Sequence, residues 1–328
     1  MAALGTRKSP FVGQQFHIAT WNLQGKLNYP DSAQLLMKDL TLKGVDIACL
    51  QETRHGPQQF QLKDNICGEI ACVPHDLTLP ATKRYGQAFF VSRKWARNVQ
   101  SIKRISNRIS VITIFLKKTK KKKILMSIIN VYAPTSEISK KRPEETAQFY
   151  EQLQQTINCY KSRDMLFVAG DFNAKVGLKH SNVEVFMGAF GKGTRNGNGD
   201  QLADFAMRNG LFLSNTQCQH SMRHRSTWRG NIKGQQIYNQ IDYIALPLRH
   251  RHMIRDSRSY NGHEYESDYS IVITKLQMEK FYLKPQKNKK PRPKYHVNAL
   301  VIKTSTLECL RPTFALKSPA TNNISLDL

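Results

Sequence analysis

The chain has 328 residues, is 40% hydrophobic, and carries 50 Lys and Arg against 24 Asp and Glu, a formal charge of +26. That apolar content excludes a disordered chain, and that length allows one large domain or two small ones. The charge excess favours a polyanionic partner, with nucleic acid first, and no stretch is apolar over the length that a bilayer-spanning helix needs.

Residues 1–14 read as a loose leader without the apolar run of a secretory signal. Phe16–Trp21 reads as a first strand. Asp31 is placed to cap a helix whose apolar face is Leu35, Leu36 and Leu40, with Gly44 at its end. Val45–Leu50 is a short apolar run of strand length that leads into Gln51 and Glu52. Gln87–Ser92, Ile109–Leu116 and Ile124–Tyr132 read as strands, and Lys117–Lys123 reads as the solvated turn of a hairpin rather than a localisation signal. A second helix begins at Pro143, has Glu144 and Glu145 in its first turn, and carries Phe149, Leu153, Ile157 and Tyr160 as a buried stripe. Met165–Ala169 repeats the earlier design, an apolar run that leads to Gly170-Asp171. A third helix spans Asp200–Arg208 with Leu202, Phe205 and Ala206 inward and Gly210 as its stop; Leu211–Ser214, Ile241–Ala245 and Ile271–Leu276 complete the strands. The pattern is α/β with many strands and few helices.

From Lys275 to Lys294 there are eight basic residues, one acid and three prolines, the composition of an extended basic tail. Within it, Lys287–Lys294 is the better candidate for a localisation signal or a DNA-backbone contact. Residues 299–328 show no periodicity. The six cysteines (Cys49, Cys67, Cys72, Cys159, Cys218 and Cys309) lack zinc spacing and read as reduced thiols of an intracellular protein.

Four acids stand beside apolar strands: Glu52, Asp171, Asp242 and Asp268. If those strands lie side by side, the acids converge at one sheet edge. Clustered carboxylates are costly unless a cation neutralises them, and an oxygen-only donor set suits Mg²⁺ or Mn²⁺. This is the equipment of a phosphodiester hydrolase: a metal to neutralise a phosphate oxygen, a carboxylate to orient or deprotonate water, and neutral donors to hold the phosphate. Asn22, Tyr132 and Asn173 are the candidate donors.

Thr20-Trp21-Asn22, Gln51-Glu52-Thr53, Asn130-Val131-Tyr132-Ala133-Pro134, Gly170-Asp171-Phe172-Asn173, Thr227-Trp228, Gln240-Ile241-Asp242-Tyr243 and Ser267-Asp268 occur in this order. The series resembles the endonuclease/exonuclease/phosphatase superfamily, which includes apurinic/apyrimidinic endonucleases, over residues 15–278. Phe149–Leu153, Gly170–Gly177, Arg195–Gly199 and Asn239–Tyr243 are similar to the endonuclease domain of RTE/Bov-B non-long-terminal-repeat retrotransposons and to the craniofacial development protein 2-like proteins derived from it. The resemblance implies a four-layer α/β sandwich, two facing and mostly antiparallel sheets with helices outside. It implies Glu52 as principal Mg²⁺ ligand supported by Asn22 and Asp268, Asp171 on the water, and Asn173 and Tyr132 on the scissile phosphate. Thr227 and Trp228 would lie near the substrate groove. It also implies DNA as partner and a nuclear location. Residues 279–328 are too few for the reverse transcriptase of the full elements, so the chain reads as an isolated endonuclease module, a domesticated gene or a fragment of an element.

One position departs from the family pattern Ser-Asp-His: this chain has Tyr269. In the family that histidine is oriented by the position that Asp242 occupies. A tyrosine titrates near pH 10 and is rarely a base at neutral pH, so loss of general acid–base work costs about 10²–10⁴-fold in rate. The expectation is an attenuated endonuclease, the main alternative an inactive DNA- or chromatin-binding protein, and a third reading a small-molecule phosphatase of the same fold. His263, nearby, is a weak candidate to substitute. His17 reads as a strand residue rather than a ligand.

Overall fold

The computed structural model describes residues 15–28, 31–54, 61–73, 85–118, 123–160, 165–232, 234–261 and 267–278. The turn residues 119–122, His263, Cys309 and the basic stretch beyond residue 278 lie outside them. Two large sheets carry the fold. The strands of the first are β1 (Gln15–Asn22), β2 (Ile47–Gln51), β3 (Gln61–Asp64), β4 (Gly68–Val73), β5 (Gln87–Ser92), β14 (Ile254–Tyr260) and β15 (Ile271–Gln277). These seven lie in the order β14-β15-β1-β2-β5-β4-β3. The second sheet is built from β6 (Val99–Arg104), β7 (Ile109–Lys118), β8 (Lys123–Tyr132), β9 (Met165–Asp171), β10 (Leu211–Leu213) and β13 (Asp242–Pro247). Its six strands lie in the order β10-β13-β9-β8-β7-β6. A separate hairpin pairs β11 (Trp228–Ile232) with β12 (Gln235–Asn239).

Each sheet contains one parallel pair, and each pair is joined through helix. β1 crosses to β2 through α1 (Ser32–Leu42); β8 crosses to β9 through α2 (Ser136–Lys141) and α3 (Pro143–Tyr160). Parallel neighbours need such a crossover, and it leaves their C-terminal ends at the same edge. Asn22 therefore ends beside Gln51, and Tyr132 beside Asp171. All other pairings are antiparallel.

The core falls into three apolar layers. Phe16, Ile18, Cys49 and Phe89 of one sheet meet Ile112, Ile128, Phe167 and Ile244 of the other. Outside the six-stranded sheet, Phe149, Leu153 and Ile157 of α3 and Leu202, Phe205 and Ala206 of α4 (Gly197–Asn209) cover Val111, Ile129 and Val168. Outside the other sheet, Leu36, Met37 and Leu40 of α1 cover Ala48 and Phe90. The result is the expected helix–sheet–sheet–helix sandwich. Burying each of these large side chains contributes about 1.5–3 kcal/mol.

Local details differ from the sequence expectation for physical reasons. Leu35 is exposed, and Ala33 and Met37 take its place on the buried face. Asp31 adopts a left-handed conformation and makes no side-chain cap. α4 starts at Gly197, not Asp200, because Asn196 Oδ1 accepts the Gly199 N–H at 2.9 Å and that of Lys175 at 3.0 Å. A Cβ on Gly199 would lie 1.8 Å from the Lys175 carbonyl oxygen, so glycine is required there. His17 sits in β1 with its Nδ1 2.9 Å from the Gly44 carbonyl, as a strand residue should.

Candidate active site

The candidate residues come from both sheets. Glu52 follows β2 and Asn22 ends β1 in one; Asp171 ends β9 and Tyr132 ends β8 in the other. The acidic strands do not lie side by side in a single sheet: Glu52 and Asp171 meet where the ends of two sheets face each other, and Asp242 lies opposite Asp171. β13 runs antiparallel to β9 and sets Asp242 directly opposite Asp171. Tyr269 forms a bridge with Trp228, and its carbonyl accepts the Trp21 indole N–H at 3.0 Å.

Asn22 is the bracket. Its Nδ2 donates to Glu52 Oε1 at 3.0 Å and to Asp171 Oδ2 at 3.1 Å, while its Oδ1 accepts the Gln24 N–H at 3.0 Å. Two carboxylates drawn this close repel, and a neutral amide with two N–H groups answers both. Glu52 Oε2 also accepts the Arg54 guanidinium at 2.8 Å, and the Tyr132 phenol lies close to this carboxylate. Asp171 Oδ1 also accepts the Asn173 backbone N–H at 2.8 Å, and the Tyr269 phenol lies close by. Burial, reinforced by Glu52, pushes Asp171 up to about 7 despite these donors. Burial and the neighbouring carboxylates hold both phenols far above the ordinary tyrosine range, so each stays protonated.

Asp242 is treated differently. It is buried, and neither carboxylate oxygen has a hydrogen bond. Burial first, then the Asp171 charge, raise it well above the usual carboxylate value, with the adjacent Thr227 hydroxyl a smaller opposing influence. The Tyr269 phenol lies close to both Asp171 and Asp242 and makes no hydrogen bond to Asp242.

The remaining candidates are spread around this cluster. Asp268 is exposed and is clamped by one side chain: Gln24 Nε2 donates to its Oδ2 at 3.1 Å, and Gln24 Oε1 accepts its N–H at 3.0 Å. Asn173 Nδ2 donates to the Ala133 carbonyl at 2.9 Å. Thr227 is buried, and its hydroxyl oxygen accepts the N–H of Ile241 and of Asp242 at 2.9 and 3.1 Å, so it fixes the start of β13 rather than facing a substrate. Trp228 is half-buried beside Tyr269.

Several contributors carry no clear signal in the sequence. Asn130 donates to the carbonyls of Leu50 and Ala88 at 3.0 and 3.2 Å and accepts from Gln51 Nε2 at 2.7 Å, joining the two sheets behind Glu52. Arg108 is buried, with its guanidinium 4.5 Å from the Tyr85 ring and 5.4 Å from that of Tyr132. Four site residues (Gln24, Glu52, Arg54 and Asn173) have φ between 43° and 48°, which is costly for non-glycine residues and concentrates at functional sites. Asn130 stands within the Asn130–Pro134 motif and could have been found there, but nothing in the sequence marks left-handed backbone at Glu52.

The donors fit a hard divalent cation. Glu52 and Asp268 offer carboxylate oxygens and Asn22 its amide Oδ1, which here accepts the Gln24 N–H, and Glu52 already attracts a positive group in Arg54. Among the described residues no three of His, Cys, Asp and Glu converge as a metal cage. Mg²⁺ does not require one, since it binds through one or two carboxylates, waters and substrate phosphates. The five described cysteines are free.

The endonuclease/exonuclease/phosphatase family matches residues 19–244. Craniofacial development protein 2 of Tragulus javanicus is 27% identical over 270 residues, which cover 81% of this chain and 43% of that protein, so the chain spans less than half of its relative. In fold it is similar to the endonuclease domain of TRAS1, a telomere-specific non-LTR retrotransposon, with a TM-score of 0.50, 16% identity, and 81% and 100% of the two chains covered. It is also similar to the 3′ phosphatase NExo from Neisseria bound to product DNA hairpin, with a TM-score of 0.53, 16% identity, and 80% and 99% covered.

Proposed function

This chain belongs to the endonuclease/exonuclease/phosphatase family, and from that premise we propose that it is a retrotransposon-derived, divalent-metal-dependent DNA endonuclease attenuated at Tyr269. The observation that carries the reading is the Asn22 bracket, which draws Glu52 and Asp171 together from two different sheets. The +26 charge favours DNA over a small phosphate ester. The similarity to a retrotransposon endonuclease and to a protein holding a DNA hairpin supports the substrate class. With DNA as substrate, the reading extends to a nuclear location.

Glu52 and Asn22, with Asp268 in support, would hold Mg²⁺ or Mn²⁺, which when bound supplies neutralisation of phosphate charge. Asp171, raised towards neutrality, is suited to accept a proton from the attacking water. Tyr132 remains a protonated donor beside the phosphate, and Asn173 lies on the same edge. Tyr269 likewise stays protonated, so it does not exchange protons near pH 7. The neighbouring phenol lowers the basicity of Asp171, and Asp242 is left with no imidazole to orient.

The test is nicking of supercoiled plasmid with Mg²⁺ by the natural chain, Tyr269→His and Glu52→Ala. Weak nicking that Tyr269→His raises and Glu52→Ala abolishes is the expected result. Nicking that survives Glu52→Ala would overturn the assignment. The second reading, a DNA-binding protein without catalysis, is favoured by the orphaned Asp242. It prevails if every variant is silent while DNA is retained.

A further inference from the structure

A band of guanidinium groups follows the β14 edge of the seven-stranded sheet away from the catalytic cluster. It begins beside the site, where the Arg229 backbone N–H donates to the Asp268 carbonyl at 2.9 Å and Arg229 Nη2 to the Ser267 carbonyl at 3.3 Å. It continues through the segment 217–225, which lies along β14. His224 Nδ1 is 3.0 Å from the Ser259 carbonyl, Ser259 Oγ donates to the Arg223 carbonyl at 3.3 Å, and His220 Nε2 is 2.6 Å from Asp256 Oδ1. Arg255 and Arg258 lie on β14 itself. The band ends at the short helical turn Leu248–Met253, where exposed Arg249 and Arg251 stand and Arg251 Nε donates to Gln217 Oε1 at 2.8 Å.

Three of these guanidinium groups are braced on rings: Arg225 on Phe190 at 5.2 Å, Arg251 on Phe212 at 4.6 Å, and Arg258 on Tyr260 at 4.8 Å. The acid within β14, Asp256, is already shared between His220 and Arg258. The charge is therefore held at fixed positions, and arginines outnumber acids along this edge.

We propose that this edge is a second nucleic-acid contact, a track that carries the DNA backbone beyond the catalytic cluster. The proposal deepens the DNA reading given above and rests on it. The seven residues of β14 span roughly 20 Å, about the rise of six base pairs. Planar guanidinium forks suit phosphate oxygens. A membrane surface is the weaker match, because interfacial binding uses an amphipathic helix with a broad apolar face, and this edge is strand and short helical turn.

The experiment measures binding of the full chain to duplexes of about 8 and about 24 base pairs across a salt series. The triple variant Arg223→Ala/Arg249→Ala/Arg255→Ala is compared with the same positions changed to Lys. The natural chain should bind the longer duplex more tightly and with a steeper salt dependence. The Ala variant should lose that length-dependent gain, with the slope falling by about 0.9 for each phosphate no longer neutralised, or roughly 2–3 in all, while binding to the short duplex is unchanged. The Lys variant should retain the steep slope, showing that charge rather than folding is responsible. Equal slopes and equal length dependence in natural and Ala proteins would overturn the track and leave the DNA reading intact, as would loss confined to phosphatidylserine vesicles. Absence of binding to either duplex by the natural chain would overturn the DNA reading itself.

Discussion

The Glu52 half of the site and the Asp242 half are built from the same residue types and balanced very differently. Glu52 receives an amide and a guanidinium. Asp242, more deeply buried, has no hydrogen bond on either carboxylate oxygen. Buried polar groups are nearly always partnered, and an unpartnered one is a place where a group is missing or a function has been given up. Tyr269, at the position where the resemblance has a histidine, lies close to Asp242 but makes no hydrogen bond to it. On the proposed reading, the attenuation sits on this side and the proposed metal ligands keep their partners.

The largest expected effect comes from repairing the poor half. Tyr269→His should raise Mg²⁺-dependent plasmid nicking by about 10²–10⁴-fold, the usual share of general acid–base catalysis. Adding Asp242→Asn to that variant should remove most of the gain. A rate unchanged by Tyr269→His would show that the imbalance at Asp242 is not what limits the chain.

The well-balanced half can be broken from behind. Asn130→Ala removes a side chain that serves Leu50, Ala88 and Gln51 at once, leaving buried carbonyls and an amide unanswered. The expected cost is about 3 kcal/mol, a fall of roughly 6–12 °C in melting temperature for a domain of this size. A fall below about 2 °C would mean that water replaces the lost bonds and that the sheets do not depend on this joint.

Legibility in the sequence divides along the same physical line. Strands such as β9 and helices such as α3 declare themselves through continuous apolar runs and a 3.6-residue stripe, and their tertiary positions agree with their local preference. β11, β12 and β14 carry no such signature. Their sequences are polar, and the inward residues of β14 are Ser257 and Ser259, tied down by hydrogen bonds rather than by apolar packing. The acids at strand ends are readable because each interrupts or ends an apolar run. Their convergence across two sheets is not, because it depends on two separate crossovers. Nor is the lone state of Asp242, since a tyrosine at position 269 does not say whether its phenol will answer the buried carboxylate beside it.

A pH series sharpens the contrast further. Burial and Asp171 raise Asp242 in the folded state above its value of about 4 in the unfolded chain. The folded form then binds more protons than the unfolded form above that pH. This contribution favours folding at low pH and is lost as pH rises from about 4 through the raised folded value. In EDTA, which keeps divalent cations out of the measurement, the natural chain should lose stability over that window. Asp242→Asn should flatten the loss and gain roughly 1–3 kcal/mol at pH 7, because it removes an unanswered buried charge. Identical pH profiles from thermal denaturation would show that Asp242 is partnered in solution.

The smallest effect is expected at Arg54, and its smallness is the point. Its side chain is 59% exposed, and the Glu52 that it pairs with is only 10% exposed. An exposed ion pair of this kind contributes about 0.2–1 kcal/mol. Without the guanidinium, Glu52 keeps the Asn22 amide, so Arg54→Ala should lower the unfolding free energy read from urea titration by no more than that amount. A loss above about 2 kcal/mol would instead mean that Arg54 is the main answer to the Glu52 charge. The well-balanced half would then hang on one surface side chain, and the difference between the two halves would be one of degree.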